Sequence, residues 1–165
     1  MALPNKILPG FSATLYAQSG AAPTPLTVSE LSVWSDVSGI AIDANVIPVE
    51  AIPAFGQDDA SASFGVAGAR QSDQIPTQSK PTSMTITAAW NPSSTALLQV
   101  RADAYNGTID RTYVIVATDG EGNEVAYSFN GRVGQFHIDP APTAETKCTF
   151  VIHPRGNQYG WSNNT

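Results

Sequence analysis

The chain has 165 residues, 42% hydrophobic and only 13% charged, which suits one domain with one core and excludes a solvated, disordered chain. Eight basic and fourteen acidic side chains give a formal charge of −6, the wrong sign for gripping nucleic acid through its phosphates. A single cysteine, Cys148, excludes an internal disulfide framework and every multi-cysteine metal site.

No stretch approaches the roughly 18 consecutive apolar residues of a transmembrane helix, so no membrane binding by this chain is expected. Pro4, Lys6 and Pro9 fall where a secretory signal would be continuously apolar, so synthesis in the cytoplasm is the expectation. Twelve prolines and thirteen glycines leave little room for helix.

Period-two alternation is the main signal, and it begins with Phe11, Ala13, Leu15 and Ala17 on one strand face. A helical turn is expected near Val28–Val33, after Thr27. Ile40, Ile42, Ala44 and Val46 alternate with Ala41, Asp43 and Asn45, which predicts a long strand over Gly39–Glu50. Residues 53–81 are rich in Gly, Ala, Ser and Gln and poor in large apolar side chains. They read as a long loop whose residues 56–77 stay mobile until a neighbour supplies the missing surface.

A strand follows, with Met84, Ile86, Ala88 and Trp90 on one face. Asn91-Pro92 then starts a helix over about residues 92–105, and Asn106-Gly107 stops it. Leu97, Leu98, Arg101, Ala102 and Tyr105 fall on one side of it at helical spacing. Tyr113–Ala117 is apolar on both faces, as in a central strand covered on each side. Asp119-Gly120-Glu121-Gly122-Asn123 makes a hairpin turn into the strand of Val125, Tyr127 and Phe129. The apolar parity changes between Val133 and Phe136, which predicts a β-bulge near Gly134. Cys148, Phe150 and Ile152 form the inward face of a last strand, so the thiol is a core residue. The expected domain is residues 1–155, and residues 156–165 form a polar tail whose Tyr159 and Trp161 suit docking.

No catalytic constellation emerges, so no enzyme activity and no cofactor are expected. His137, Asp139 and His153 are the only imidazole–carboxylate grouping, and edge-strand residues explain them better than a metal site does. Asp58-Asp59 reads as solvated loop charge rather than an acid/base pair. Serines and threonines show no nucleophile-elbow pattern, and no glycine turn opens a helix as a phosphate loop must.

The order of these elements over about residues 11–155 resembles the major tail tube proteins of long-tailed, non-contractile bacteriophages. The matching stretches run from Ser12-Ala13-Thr14-Leu15-Tyr16 through Leu26–Val37 and Gly39–Glu50 to the loop with Asp58-Asp59 and Gln74-Ile75-Pro76-Thr77-Gln78. They continue with Ala89-Trp90, the Asn91-Pro92 helix and Arg111-Thr112-Tyr113. Tyr127-Ser128-Phe129-Asn130-Gly131-Arg132-Val133 and Cys148–His153 complete the series.

The resemblance implies a mainly β fold, an antiparallel β-sandwich or half-barrel with one flanking helix. It implies a structural virion protein, made in the host cytoplasm, whose homohexameric rings stack into the tube that conducts DNA at genome ejection. Tape measure and tail-end proteins are its implied partners, and DNA passes without specific binding. The long loop, with Asp58, Asp59, Arg70 and Asp73, is implied to reach the neighbouring ring. An immunoglobulin-like binding or decoration domain is the alternative.

Charge is uneven along the chain. Residues 1–79 hold two basic and seven acidic side chains, a formal −5, and residues 80–165 hold six and seven, a formal −1. An acidic lumen would keep DNA from sticking to the wall, and Asp43 and Glu50 are the candidates to line it.

Overall fold

The computed structural model describes residues 12–65, 67–68, 73–118, 122–141 and 144–164. Among the described residues, eight strands and two α-helices run in the order β1 (Ser12–Ala17), α1 (Trp34–Val37), β2 (Val46–Ile47), β3 (Gln57–Phe64), β4 (Asp73–Pro81), β5 (Met84–Ala89), α2 (Thr95–Asn106), β6 (Arg111–Thr118), β7 (Glu124–Asp139) and β8 (Lys147–Asn164). Short 3-10 turns at Glu30–Ser32 and Asp43–Asn45 complete the set.

Six strands form one antiparallel sheet in the order β2-β1-β6-β7-β8-β5. It rolls until its two ends nearly meet. The Glu50 amide donates to the Thr87 carbonyl at 3.0 Å and the Ala89 amide to the Pro48 carbonyl at 2.9 Å, so the chain after β2 bridges to β5. The architecture is the half-barrel form of the expected fold, mainly β with one main helix.

Strand β6 sits centrally and is buried from Arg111 to Ala117, as its two apolar faces require. Tyr113 and Ile115 face the concave side, where Leu15, Phe129, Phe150 and Ile152 pack beneath α2. Val114 and Val116 face the convex side, covered by Val37 and Ile40 with Leu26 and Trp34 around them. Each large aliphatic side chain removed from water contributes about 1.5–3 kcal/mol, so both layers hold this strand.

Helix α2 begins later than the Asn91-Pro92 signal suggests. Asn91 Oδ1 accepts the Ser93 amide at 2.9 Å in a local turn, and Ser94 becomes the N-cap through a bond from the Leu97 amide at 3.4 Å. Gly107, at φ 70°, supplies the left-handed stop. The buried side is Ala96, Leu97, Val100 and Asp103, whereas Leu98, Arg101, Ala102 and Tyr105 are exposed. Apart from Leu97, the sequence stripe is therefore turned outward, because Asp103 must face inward to meet Arg111.

Three further expectations are corrected. Gly39–Glu50 is not a long strand: Ile40 caps the convex core, Asp43 opens a 3-10 turn, Val46–Ile47 pairs with β1, and Val49 makes a single bridge to Ala88 of β5. The expected loop 53–81 is instead mostly strand in its described residues, because β3 and β4 form their own two-stranded antiparallel sheet. Residues 156–164 are not a tail, because β8 runs to Asn164 paired with β7.

The expected helical turn near Val28–Val33 is present as the Glu30–Ser32 turn. There the Thr27 amide and hydroxyl donate to Glu30 Oε2 at 2.7 and 2.8 Å. These bonds hold the Glu30 carboxyl below its usual range. The bulge expected near Gly134 lies between Gly134 and His137, where Gln135 takes φ 56°. Strands β6 and β7 pair as a hairpin, but Asp119, Gly120 and Glu121 of its turn lie outside the described residues.

Candidate assembly surfaces

Strands β7 and β8 are much longer than their neighbours, and that mismatch leaves strand edges with no partner strand among the described residues. Strand β6 covers one edge of β7 only from Glu124 to Gly131, so no described strand pairs with that edge from Arg132 to Asp139. Strand β5 covers the outer edge of β8 only from Lys147 to Ile152, and no described strand pairs with that edge from Tyr159 to Asn164. The two open stretches lie on opposite sides of the β7–β8 ribbon. Unpaired strand edges are templates for pairing with another chain.

Ion pairs fix the ends of these stretches. Asp110 accepts from Arg132 Nε at 2.7 Å and from Arg155 Nη1 at 2.6 Å, which ties the start of β6 to both long strands. The Arg132 bond holds the Asp110 carboxyl below its usual range against partial burial, and Arg155 assists. At the other end Lys147 pairs with Glu50, joining β8 to the segment after β2.

The β3–β4 sheet is an arm. All eight residues of β3 are exposed, and the arm has a bulge between Asp59 and Ser61. Beyond it Ala62 stands opposite Ile75 and Phe64 opposite Asp73, so Ala62, Phe64 and Ile75 share one face. Phe64 is 63% exposed and Ile75 55%. Ordinary domains cover such a face with their own core.

At the root of the arm lies a cluster of aromatic rings. Phe55 stacks on Tyr127 at 5.0 Å, and Tyr127 contacts Trp161 at 4.8 Å and Tyr159 at 6.2 Å. Gly56, Gln57, Tyr127, Tyr159 and Trp161 line a cavity of about 230 Å³ among them. Burial pushes the Tyr127 hydroxyl pKa up, and Tyr159 adds to the shift. Trp161 is 53% exposed, so the cavity opens to solvent.

The sequence-predicted residues scatter over these surfaces. Asp43 is exposed on its 3-10 turn rather than on a strand face, which removes the argument that aimed it at a lumen. Glu50 is exposed but paired with Lys147. Asp58 and Asp59 are exposed near the arm's root, and Asp58 accepts from the Thr82 hydroxyl at 3.2 Å. Arg70 lies outside the described residues, and Asp73 begins β4. Tyr159 and Trp161 sit on β8 and help form the aromatic cavity.

His137 stands opposite Thr149, and His153 stands opposite Arg132. Their partners are about 13–16 Å apart along the β7–β8 ribbon, too far for one metal ion. His153 Nδ1 instead hydrogen-bonds the Ser83 hydroxyl at 3.0 Å. Cys148 is buried, its Sγ donating to the Ala88 carbonyl at 3.6 Å.

No local sequence pattern marks the open edges or the aromatic cavity. Both depend on which strands are longer than their neighbours and on the way β8 continues past Pro154. The signal available was Gly156-Asn157, a turn-favouring pair between two aromatic-bearing stretches.

No protein-family model matches the sequence, and no curated protein matches it. Solved structures do. A PVC sheath/tube terminator, from an extracellular contractile injection system in the extended state, superposes with a TM-score of 0.63 at 10% identity over 96% of this chain and 99% of that one. A chain of the anti-feeding prophage (AFP) baseplate gives 0.62 at 10% identity over 98% and 97%. The SPP1 tail tube gives 0.54 at 12% identity over 90% and 76%. The fold is thus the one shared by tail tube and tube-terminator proteins, and each of these neighbours is named for a structural part of a tail or injection apparatus.

Proposed function

We propose that this chain is a structural subunit of a phage tail tube, self-associating side by side into hexameric rings that stack into the conduit for DNA. The observation that carries the reading is the pair of open edges on opposite sides of the β7–β8 ribbon. Surfaces on opposite sides of one subunit make a head-to-tail contact, which closes a ring when the rotation permits. Main-chain hydrogen bonds across such edges give affinity without a large apolar interface. Six subunits per ring follow from the resemblance, as do a tape measure protein inside the tube, tail-end proteins beyond it and a place in the virion.

The formal charge of −6 per subunit suits a wall that DNA must pass without binding. Asp43 and Glu50, both exposed, are available to contribute to that field. The arm, with Asp58, Asp59, Arg70 and Asp73, is the element proposed to reach the neighbouring ring.

A second reading is favoured by the terminator neighbour, matched over nearly the whole of both chains. In that case the ring ends a tube instead of repeating along it. Negative-stain microscopy of concentrated protein separates the two readings. Tubes of variable length are expected for a repeating subunit, single rings for a terminator, and a persistent monomer overturns both.

A further inference from the structure

We infer that Phe64, near the tip of the arm, is a knob that seats in the aromatic cavity of a second copy of this chain. The inference rests on the repeating-subunit reading and names the contact that links successive copies.

The argument begins with what the arm lacks. Its distal face carries Ala62, Phe64 and Ile75 with no core behind them, and Phe64 and Ile75 are mostly exposed. A bare two-stranded hairpin is marginal in water, so this face requires a cover. A buried aromatic side chain removes about 150–250 Å² from water, which makes Phe64 the strongest anchor available on it.

The cover cannot be the arm's own root. Phe64 lies seven residues along β3 from Gln57, about 23 Å of extended chain, and pairing with β4 keeps it there. The cavity, however, is at that root, lined by Gly56, Gln57, Tyr127, Tyr159 and Trp161. Its walls are aromatic, it is open to solvent, and its volume of about 230 Å³ suits one aromatic side chain. Knob and cavity therefore lie at the two ends of the arm, and only another copy can bring them together. Repeated, such a contact runs head to tail from copy to copy, as a stacked assembly requires.

A double-mutant cycle on the critical concentration for assembly tests the pairing. Phe64→Ser and Trp161→Ala are each expected to raise it by at least about tenfold, as for a buried aromatic hot spot. Together they should cost little more than either alone, because both remove one contact. Phe64→Leu should retain most of the assembly. Because Trp161→Ala could loosen β8, a second measurement avoids it. Ala62→Cys and Gln57→Cys proteins, both keeping Phe64, are mixed, assembled and treated with a short bismaleimide, Cys148 being buried. Cross-links between positions 62 and 57 of different copies are expected in the assembled fraction only.

If the wild-type chain assembles and Phe64→Ser leaves the critical concentration unchanged, the pairing is wrong and the tube reading survives. Strictly additive losses, or cross-links that avoid position 57, overturn it in the same way. A wild-type chain that never assembles overturns both.

Discussion

Arg111 and Asp103, both buried, form a two-pronged ion pair between β6 and α2: Nε reaches Oδ2 at 2.5 Å and Nη2 reaches Oδ1 at 2.9 Å. The same guanidinium donates to the carbonyls of Gln18 and Gly20, so one side chain fastens helix, central strand and the chain after β1. Removing one partner strands a buried charge. Asp103→Ala should therefore cost about 3–5 kcal/mol in urea unfolding. Arg111→Lys should also destabilise, because an ammonium cannot fork to both carboxylate oxygens. The double change Asp103→Leu with Arg111→Met should recover only part of the loss, since the Gln18 and Gly20 carbonyls stay unpaired.

Gly160 marks the point where the 3-10 turn of Glu30–Ser32 lies directly on β8. A Cβ there would meet the carbonyl carbon of Leu31 at 2.5 Å and its oxygen at 2.6 Å. Backbone cannot yield as a side chain can, so Gly160→Ala should destabilise by about 1–3 kcal/mol. Gly156→Ala, which meets nothing within 4 Å, is the control and should leave the thermal midpoint in place.

Asp110 contributes a pH-dependent increment. Its carboxyl is held below the usual carboxylate range by the bond from Arg132, with Arg155 assisting. The stabilisation is therefore present above the unfolded carboxyl's pKa and is lost as pH falls through the lower folded value. Asp110→Asn should cost up to about 1 kcal/mol at neutral pH, and the difference from wild type should vanish in acid. Unfolding curves from pH 7 down to about 2 measure it.

Deleting Ser61–Asp73 removes the distal arm, whose described residues bury nothing in either core layer. The remaining sheet should keep its stability to within about 0.5 kcal/mol, while assembly should be lost. Normal tubes from this deletion would remove the arm from the assembly argument.

Cys148 should resist thiol reagents in the folded protein and react fully after unfolding. Burial pushes its pKa up and keeps the reactive thiolate scarce. Fast labelling of the native chain would contradict its place beneath the sheet.

What the sequence determined by itself was local pattern. Alternation located the segments of β1, β5, β6, β7 and the first half of β8, and the double-sided run Tyr113–Ala117 marked the central strand. Parity also located the bulge at Gln135, because a single extra residue there switches Val133 and Phe136 onto one face. A larger irregularity lies at Asn157, with φ 58°, where five steps from Pro154 to Tyr159 stand opposite only two from Gly131 to Phe129. There it passes the inward face from Ile152 to Tyr159, but Pro154 and polar neighbours concealed it and the strand read as a tail.

Tertiary structure decided the rest, for reasons of partnership. Asp103 faces inward only because Arg111, eight residues on, waits in β6, and that pairing turned Leu98 and Tyr105 outward. Gly39–Glu50 alternates like a strand, yet the convex core needed a cover for Val114 and Val116, so most of it became turns. The arm pairs through backbone groups, which polar sequence does not advertise. Open edges and a shared cavity arise from the relative lengths of strands distant in the chain, a relation that no local window contains.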